Sequence, residues 1–513
     1  MLFNSYPFLF VFLPLTLAGF FLVARAGHAW AAAWLAAASF VFYGWWNPVY
    51  VVLLAASMMF NFVVGLAIVR EAGSRRAGRL LAIGVAADLV LLGYFKYADF
   101  FVSNLDYLGA ALPLPHIVLP LGISFFTFTQ IAFLADAYQG KAAEYRFTHY
   151  CLFVTYFPHL IAGPVLHHRE MMPQFGEAAT YRVNWESLAV GFTILAIGLF
   201  KKTVLADGIA EYARPVFDAP ARGAVLGAVD AWGGALAYAF QLYFDFSGYS
   251  DMAIGLSRLF GVRLPLNFNS PYRAASIIDF WRRWHMTLSR FLRDYLYFPL
   301  GGNRRGTARR YLNVMVTMLL GGLWHGASWT FVAWGGLHGL YLLVNHAWRE
   351  LRVRLGSTRP AGRAAKTAAV FVTFLATVVA WVVFRADTIE HAWAILQAMA
   401  GANGVTLPYR WLDKLGAAGA WLTGHGVEFR NTATFGGGTQ INWILICALI
   451  AFAAPNTQEI LRSFRPALGV DPDGAAHWWR WRPARPWLAF AILAAGLAVL
   501  SLTSVSEFIY FQF

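Results

Sequence analysis

Apolar residues run through this chain in blocks close to the roughly 20 residues that cross a hydrocarbon core, and short polar or basic turns separate them. Inside a bilayer every backbone N–H and C=O must be satisfied within the chain, so these blocks read as helices. The first spans residues 7–23. No Lys or Arg precedes it, so it lacks the basic n-region of a cleaved secretory signal and is expected to be retained as a membrane helix. Blocks at 31–45 and 50–69 follow, turning at Trp45-Trp46-Asn47-Pro48, and a fourth covers 80–94. The block at 120–138 carries polar Gln130 and Asp136. Residues 147–175 contain Pro158, Gly163 and Pro164, which predict a broken or re-entrant segment rather than one clean span.

Further blocks cover 186–200, closed by Lys201 and Lys202, then 231–260, 311–331, 332–348, 367–384, 443–454 and 487–502. Asp245 and Asp251 fall at membrane depth within 231–260. Carboxylates there face a protein interior or a watery cavity, and either helix tethering or direct chemistry accounts for them. The Gly-rich stretch 400–439 is expected to pack at a surface. The pattern predicts an all-α polytopic membrane protein of about a dozen spans, in one membrane domain over 1–513.

Charge sets the orientation. Arg25, the group Arg70, Arg75, Arg76 and Arg79, and the excess of Arg462, Arg465, Arg480, Arg482 and Arg485 over Glu459, Asp471 and Asp473 mark cytoplasmic loops. Both termini are then expected on the outer face. Only 13% of residues are charged and 59% are hydrophobic, whereas a soluble globule carries about 25% charge. The net charge of +14 is that of a membrane protein with basic cytoplasmic loops, and no nucleic-acid partner is expected. Cys151 and Cys447 lie in apolar sequence and suggest neither a disulfide framework nor a zinc site.

Candidate chemistry concentrates between residues 241 and 346. A helix over 279–295 would place Trp281, Trp284, His285, Leu288, Phe291, Leu292 and Tyr295 on one face, with Arg282, Arg283, Arg290, Arg293 and Asp294 largely on the other. His285 then either approaches a tunnel or is satisfied by a neighbouring helix. The nine arginines between Arg273 and Arg310, against only Asp279 and Asp294, suit a polyanion such as coenzyme A or an acidic phosphopantetheine carrier. Positive-inside topology accounts for many of the same charges.

His325 falls inside the apolar run 311–332, in Leu323-Trp324-His325-Gly326-Ala327-Ser328-Trp329. An ionisable group at membrane depth is a functional candidate, and an imidazole with an ordinary pKa of about 6.5 exchanges protons near neutrality. A structural hydrogen bond is the alternative. Gly321, Gly322 and Gly326 permit close approach around it. His338 and His346, and the cluster His159, His167 and His168, lack convincing metal-ligand spacing, so no metal is expected.

The segments QLYFDFSGYSDMAIGLSRLFG, NFNSPYRAASIIDFWRRWHMTLSRFLRDYLYFPLGGNRRG and LLGGLWHGASWTFVAWGGLHG, with MLFNSYPFLFVFLPL, FPHLIAGPVLHHREMMPQF and the terminal FIYFQF, occur in the order seen in one superfamily. The chain resembles the membrane-bound O-acyltransferases, and within them the bacterial alginate O-acetyltransferase branch, over essentially its whole length. The resemblance implies a ring of tilted and re-entrant helices around a central funnel. It implies an acyl group passed from a cytosolic donor, acetyl-CoA or a carrier thioester, to a hydroxyl of an exported polysaccharide across the bacterial inner membrane. His325 matches the family's active-site histidine and His285 its second histidine motif. Tyr510 in the terminal motif would be either a transient acyl carrier or an interfacial aromatic anchor. Systems of this type imply a periplasmic, serine-hydrolase-like acetyltransferase partner. A transporter or flippase that moves an acylated lipid or glycan without forming a bond is the competing expectation.

Overall fold

The computed structural model describes residues 1–503 apart from 110–111, 143, 145, 162, 357–361, 431–433 and 473–476. Among the described residues, four helices are long and apolar enough to cross a membrane: Val49–Arg70, Arg75–Tyr107, Trp185–Asp218 and Arg363–Arg385. Phe8–Val23, Gly437–Phe452 and Arg485–Leu500 are shorter apolar helices. Val49–Arg70 and Arg75–Leu92 are joined by a tight turn that brings Arg70 and Arg75 to one side. The chain beyond Leu92 does not stop, as the pattern over 80–94 suggested. It continues through a π turn, Gly93–Tyr97, into Ala98–Tyr107.

Three features depart from the sequence pattern, two of them at the candidate histidines. The helix expected over 279–295 is two helices, Ile277–Trp281 and Met286–Leu292, broken at His285, whose φ is +42°. Backbone bonds from Met286 N to Asn267 O (3.0 Å) and from Asn269 N to Arg283 O (2.9 Å) tie the turn to the 267–269 segment, and this pairing overrides the helical period. His325 is not inside a helix but is the last residue of Gly306–His325. Gly326 is extended there, and the Ser328 side chain caps the next helix, Trp329–Arg354, by accepting from Thr330 N. The Gly-rich stretch holds a short parallel pair, Val405–Pro408 with Val427–Arg430. The region 147–175 is broken as expected, into Phe147–Thr155, Phe157–Leu160 and His168–Phe175.

Ala228–Leu259, 32 residues long, is buried along nearly all its length. Its first part belongs to one apolar cluster, from Ala231 to Phe246, and its last part to the other, from Tyr249 to Leu259. Against it lies Trp185–Phe200, at a separation that glycine sets. A Cβ on Gly198 would stand 2.7 Å from Gly248 O, and one on Gly191 2.8 Å from Gly255 O. Small residues at this spacing let two helix backbones touch, which is how membrane helices gain packing without a hydrophobic drive.

The same interface buries its charges in pairs. Lys202 Nζ lies 2.6 Å from Asp245 Oδ1 and 2.8 Å from Asp207 Oδ1, and Lys201 Nζ lies 2.6 Å from Asp251 Oδ2. Thr457 and Gln458 also donate to Asp251, at 2.6 and 3.2 Å. Of the two roles open to Asp245 and Asp251, helix tethering is the one these contacts carry.

Candidate active site

His325 ends its helix because the helix has nowhere to continue: Gly326 follows in an extended conformation, and a Cβ there would run into the Phe331 ring. Gly322 and Gly335 bring the Gly306–His325 and Trp329–Arg354 backbones into contact, and a Cβ on Gly322 would stand 3.1 Å from Gly335 Cα. The imidazole is enclosed by aromatic rings, with centroids of Trp324 at 5.0 Å, Trp334 at 5.1 Å and Phe384 at 5.3 Å, and the residue is 8% exposed. At the helix end Lys96 Nζ donates to Trp324 O (2.5 Å) and His325 O (3.2 Å), and Tyr97 Oη donates to Leu323 O (2.8 Å). A cation at the carbonyl end of a helix is electrostatically matched.

His285 comes to within 6.5 Å of His325, ring centroid to ring centroid. It is fully buried. Its Nδ1 lies 3.2 Å from Asn267 Oδ1, which also faces Thr287 N at 3.3 Å and Thr287 Oγ1 at 2.9 Å. A backbone N–H can only donate, so the Asn267 atom in the middle is its oxygen, and His285 Nδ1 must carry the proton. That leaves Nε2 as a lone-pair acceptor, and it has no partner among the described residues. His338, singled out in the sequence only as a recurring histidine, is equally buried and accepts from Trp281 Nε1 at 3.3 Å. Its ring centroid lies 4.8 Å from that of Trp334, so three histidines and the tryptophans between them form one aromatic block.

Two cavities border this block along the Gly306–His325 helix. One, of about 270 Å³, is lined by His325 itself together with Lys96, Ser124, Trp46 and the 118–122 loop. The other, of about 700 Å³, lies against the middle of the helix at Val314, Thr317 and Met318, and is lined also by Arg282, Arg290, Arg293, Trp281 and His346 among others. Met318 and His325 are seven residues apart, about 10 Å along a helix axis, and no residue lines both cavities.

The four arginines do not act alike. Arg290 makes a two-pronged pair with Glu170 (2.6 and 2.8 Å). Arg293 pairs with Asp294 at 2.8 Å, a hydrogen bond that pushes the guanidinium pKa above its ordinary value. Arg283 pairs with Asp279 at 2.9 Å and does not line the cavity. Arg282 is exposed, lines the cavity and has no carboxylate partner among the described residues. Tyr510 lies outside the described residues. Sequence reasoning missed Lys96, Ser124, Asn267 and Glu170. Lys96 had a readable signal, since it is a lone cation in the apolar run Gly93-Tyr94-Phe95-Lys96-Tyr97.

Comparison with known proteins gives the family. Residues 116–384 match the family described as MBOAT, membrane-bound O-acyltransferase. The chain is 40% identical to a probable alginate O-acetylase AlgI of Pseudomonas aeruginosa, covering 100% of both chains. It is 38% identical to a peptidoglycan O-acetyltransferase of Helicobacter pylori, covering 100% of this chain and 98% of that one. A teichoic acid D-alanyltransferase of Bacillus subtilis is 26% identical over 59% of this chain and 83% of its own. With the family's pattern laid over more than half of the chain and full-length relatives at these identities, this protein belongs to the membrane-bound O-acyltransferase family, on the branch of the alginate O-acetylases.

Proposed function

We propose that this O-acetyltransferase takes an acetyl group from a cytosolic thioester, acetyl-CoA or a carrier-bound equivalent, and passes it across the bacterial inner membrane for O-acetylation of an exported polysaccharide such as alginate. The observation that carries the reading is the position of His325. It borders one cavity at the end of its helix, while a larger, arginine-lined cavity lies against the same helix at Met318.

In this reading the phosphates of the donor meet Arg282 and the neighbouring Arg290 and Arg293 at the larger cavity. The thioester reaches His325 past Trp281 and Met318. His325 acts as general base, removing the proton of an acceptor hydroxyl as its oxygen attacks the thioester carbon, then returning it to the thiolate. His285, its Nδ1 proton committed to Asn267, offers a fixed Nε2 acceptor beside it. Tyr510 is the proposed transient acyl carrier on the outer face, handing the group to a periplasmic serine-hydrolase-like acetyltransferase. Both termini face outward, and 1–513 works as one membrane-embedded domain surrounded by lipid. The polymer is inferred from relatives whose names point to alginate in Pseudomonas aeruginosa and to peptidoglycan in Helicobacter pylori.

The test uses purified protein in liposomes with acetyl-labelled acetyl-CoA. Covalent transfer of label to a hydroxyl acceptor, lost in His325→Ala at equal protein, is the expected result. Movement of intact donor or of a lipid without bond formation would replace catalysis by transport.

A further inference from the structure

We propose that the Ser124 hydroxyl, polarised by the Lys96 ammonium, is the donor that holds the oxyanion formed during acyl transfer. The proposal rests on the reading of His325 as general base and adds the electrostatic half of the site.

Lys96 is 9% exposed, and no carboxylate lies within ion-pair distance of it among the described residues. An unpaired ammonium is costly to bury. The π turn Gly93–Tyr97 that carries it is itself an irregular, costlier geometry of a kind found at functional sites. All three of its N–H bonds are spent: on Trp324 O, on His325 O, and on Ser124 Oγ at 3.1 Å. Both carbonyls are acceptors at the negative end of a helix, an arrangement that favours the charged amine. Lys96 therefore has nothing left to give a substrate directly.

Ser124 does. A hydroxyl has two lone pairs and one proton, and here one lone pair is taken by Lys96 while the proton meets no acceptor among the described residues. A hydroxyl that accepts from an ammonium becomes a stronger donor. Ser124 is 8% exposed, and its residue lines the same cavity of about 270 Å³ as His325, Lys96 and Trp324. It sits in the first turn of the 16-residue helix Ile123–Tyr138, whose positive end adds to the field. Gly122 makes this placement possible. Its φ of +71° suits glycine, and a Cβ there would press on Leu160 O at 3.1 Å.

The step balances on these groups. The acceptor oxygen bonds to the thioester carbon and its proton passes to His325. The carbonyl electron pair moves onto oxygen, where Ser124 donates under the charge of Lys96. Collapse reforms the carbonyl and breaks the C–S bond, and the thiolate leaves with the proton held by His325.

The experiment compares Ser124→Ala, Ser124→Thr, Lys96→Met, the Ser124→Ala/Lys96→Met double variant and His325→Ala in liposomes supplied with labelled acetyl-CoA. Losing an oxyanion donor lowers kcat by about 100-fold, and because the interaction is made in the transition state the KM for acetyl-CoA stays put. Ser124→Thr keeps the hydroxyl and most of the rate. The double variant is no slower than Lys96→Met, since the two act as one unit. An active Ser124→Ala beside an inactive His325→Ala overturns the proposal and leaves the general base standing; an active His325→Ala overturns both. A stable acetyl group on Ser124 in mass spectra, or loss of acetyl-CoA binding in Ser124→Ala, also overturns it, making the serine a nucleophile or a structural part.

Discussion

The rings of His285 and His325 meet at 6.5 Å with their planes inclined by 63°, and each stands at a break in its chain, one on a left-handed turn and the other at a helix end. Neither could reach this position from the middle of a straight helix. The pairing gives one imidazole with a fixed proton arrangement beside another that borders the smaller cavity.

Asn267 is the residue that fixes it. Asn267→Ala would leave Thr287 N, Thr287 Oγ1 and His285 Nδ1 without their shared acceptor. An unsatisfied buried group costs about 1–3 kcal/mol. The expected result is a lower unfolding midpoint together with reduced kcat in folded protein, read by thermal melting in detergent and by turnover. Melting unchanged, with full turnover, would remove Asn267 from the account.

Arg282 and Arg290 line the same cavity but should fail differently. Arg282→Ala removes an exposed, unpaired charge and should raise the KM for acetyl-CoA and flatten its salt dependence, with the fold intact. Arg290→Ala strands the Glu170 carboxylate, which also accepts from His167 N at 3.3 Å. Its main cost should fall on stability, on the order of 3 kcal/mol for breaking a partly buried pair. Chemical denaturation and donor titration of the two variants separate these outcomes.

Asp245 offers a test of charge used for architecture. Asp245→Ala removes one of the two carboxylates that lie beside Lys202, and loss of one buried partner destabilises by about 3 kcal/mol. The surviving folded protein should keep its kcat. The measurement is turnover normalised to the monodisperse fraction on size exclusion, and a kcat that falls with the fold preserved would return Asp245 to the chemistry.

Tyr510→Phe deletes one oxygen and keeps the ring. If the terminal motif carries the acyl group outward, the variant still consumes acetyl-CoA when given a small soluble alcohol but stops acetylation of the polymer. Mass spectrometry of surface glycans from matched strains reads the result.

Much of the fold was legible because hydrocarbon imposes a strong rule: the apolar blocks are helices, and Pro158, Gly163 and Pro164 break the segment they occupy. The two site histidines were legible from the motifs around them and from polarity out of place. The bend at His285 was not, since residues 279–295 satisfy a helical period and the turn is dictated by bonds to a segment 14 to 20 residues earlier. The pairing of Arg290 with Glu170 spans 120 residues, and that of Lys96 with Trp324 spans 228. Local pattern carries no trace of such meetings. The arginine stripe accordingly looked like four free cations, whereas three of them are already neutralised at home.

The two cavities share no lining residue, and this has a consequence for the proposed route. Cargo that crosses by covalent hand-off from one atom to the next needs no continuous water column between them, so transfer of this kind would not require an ion leak.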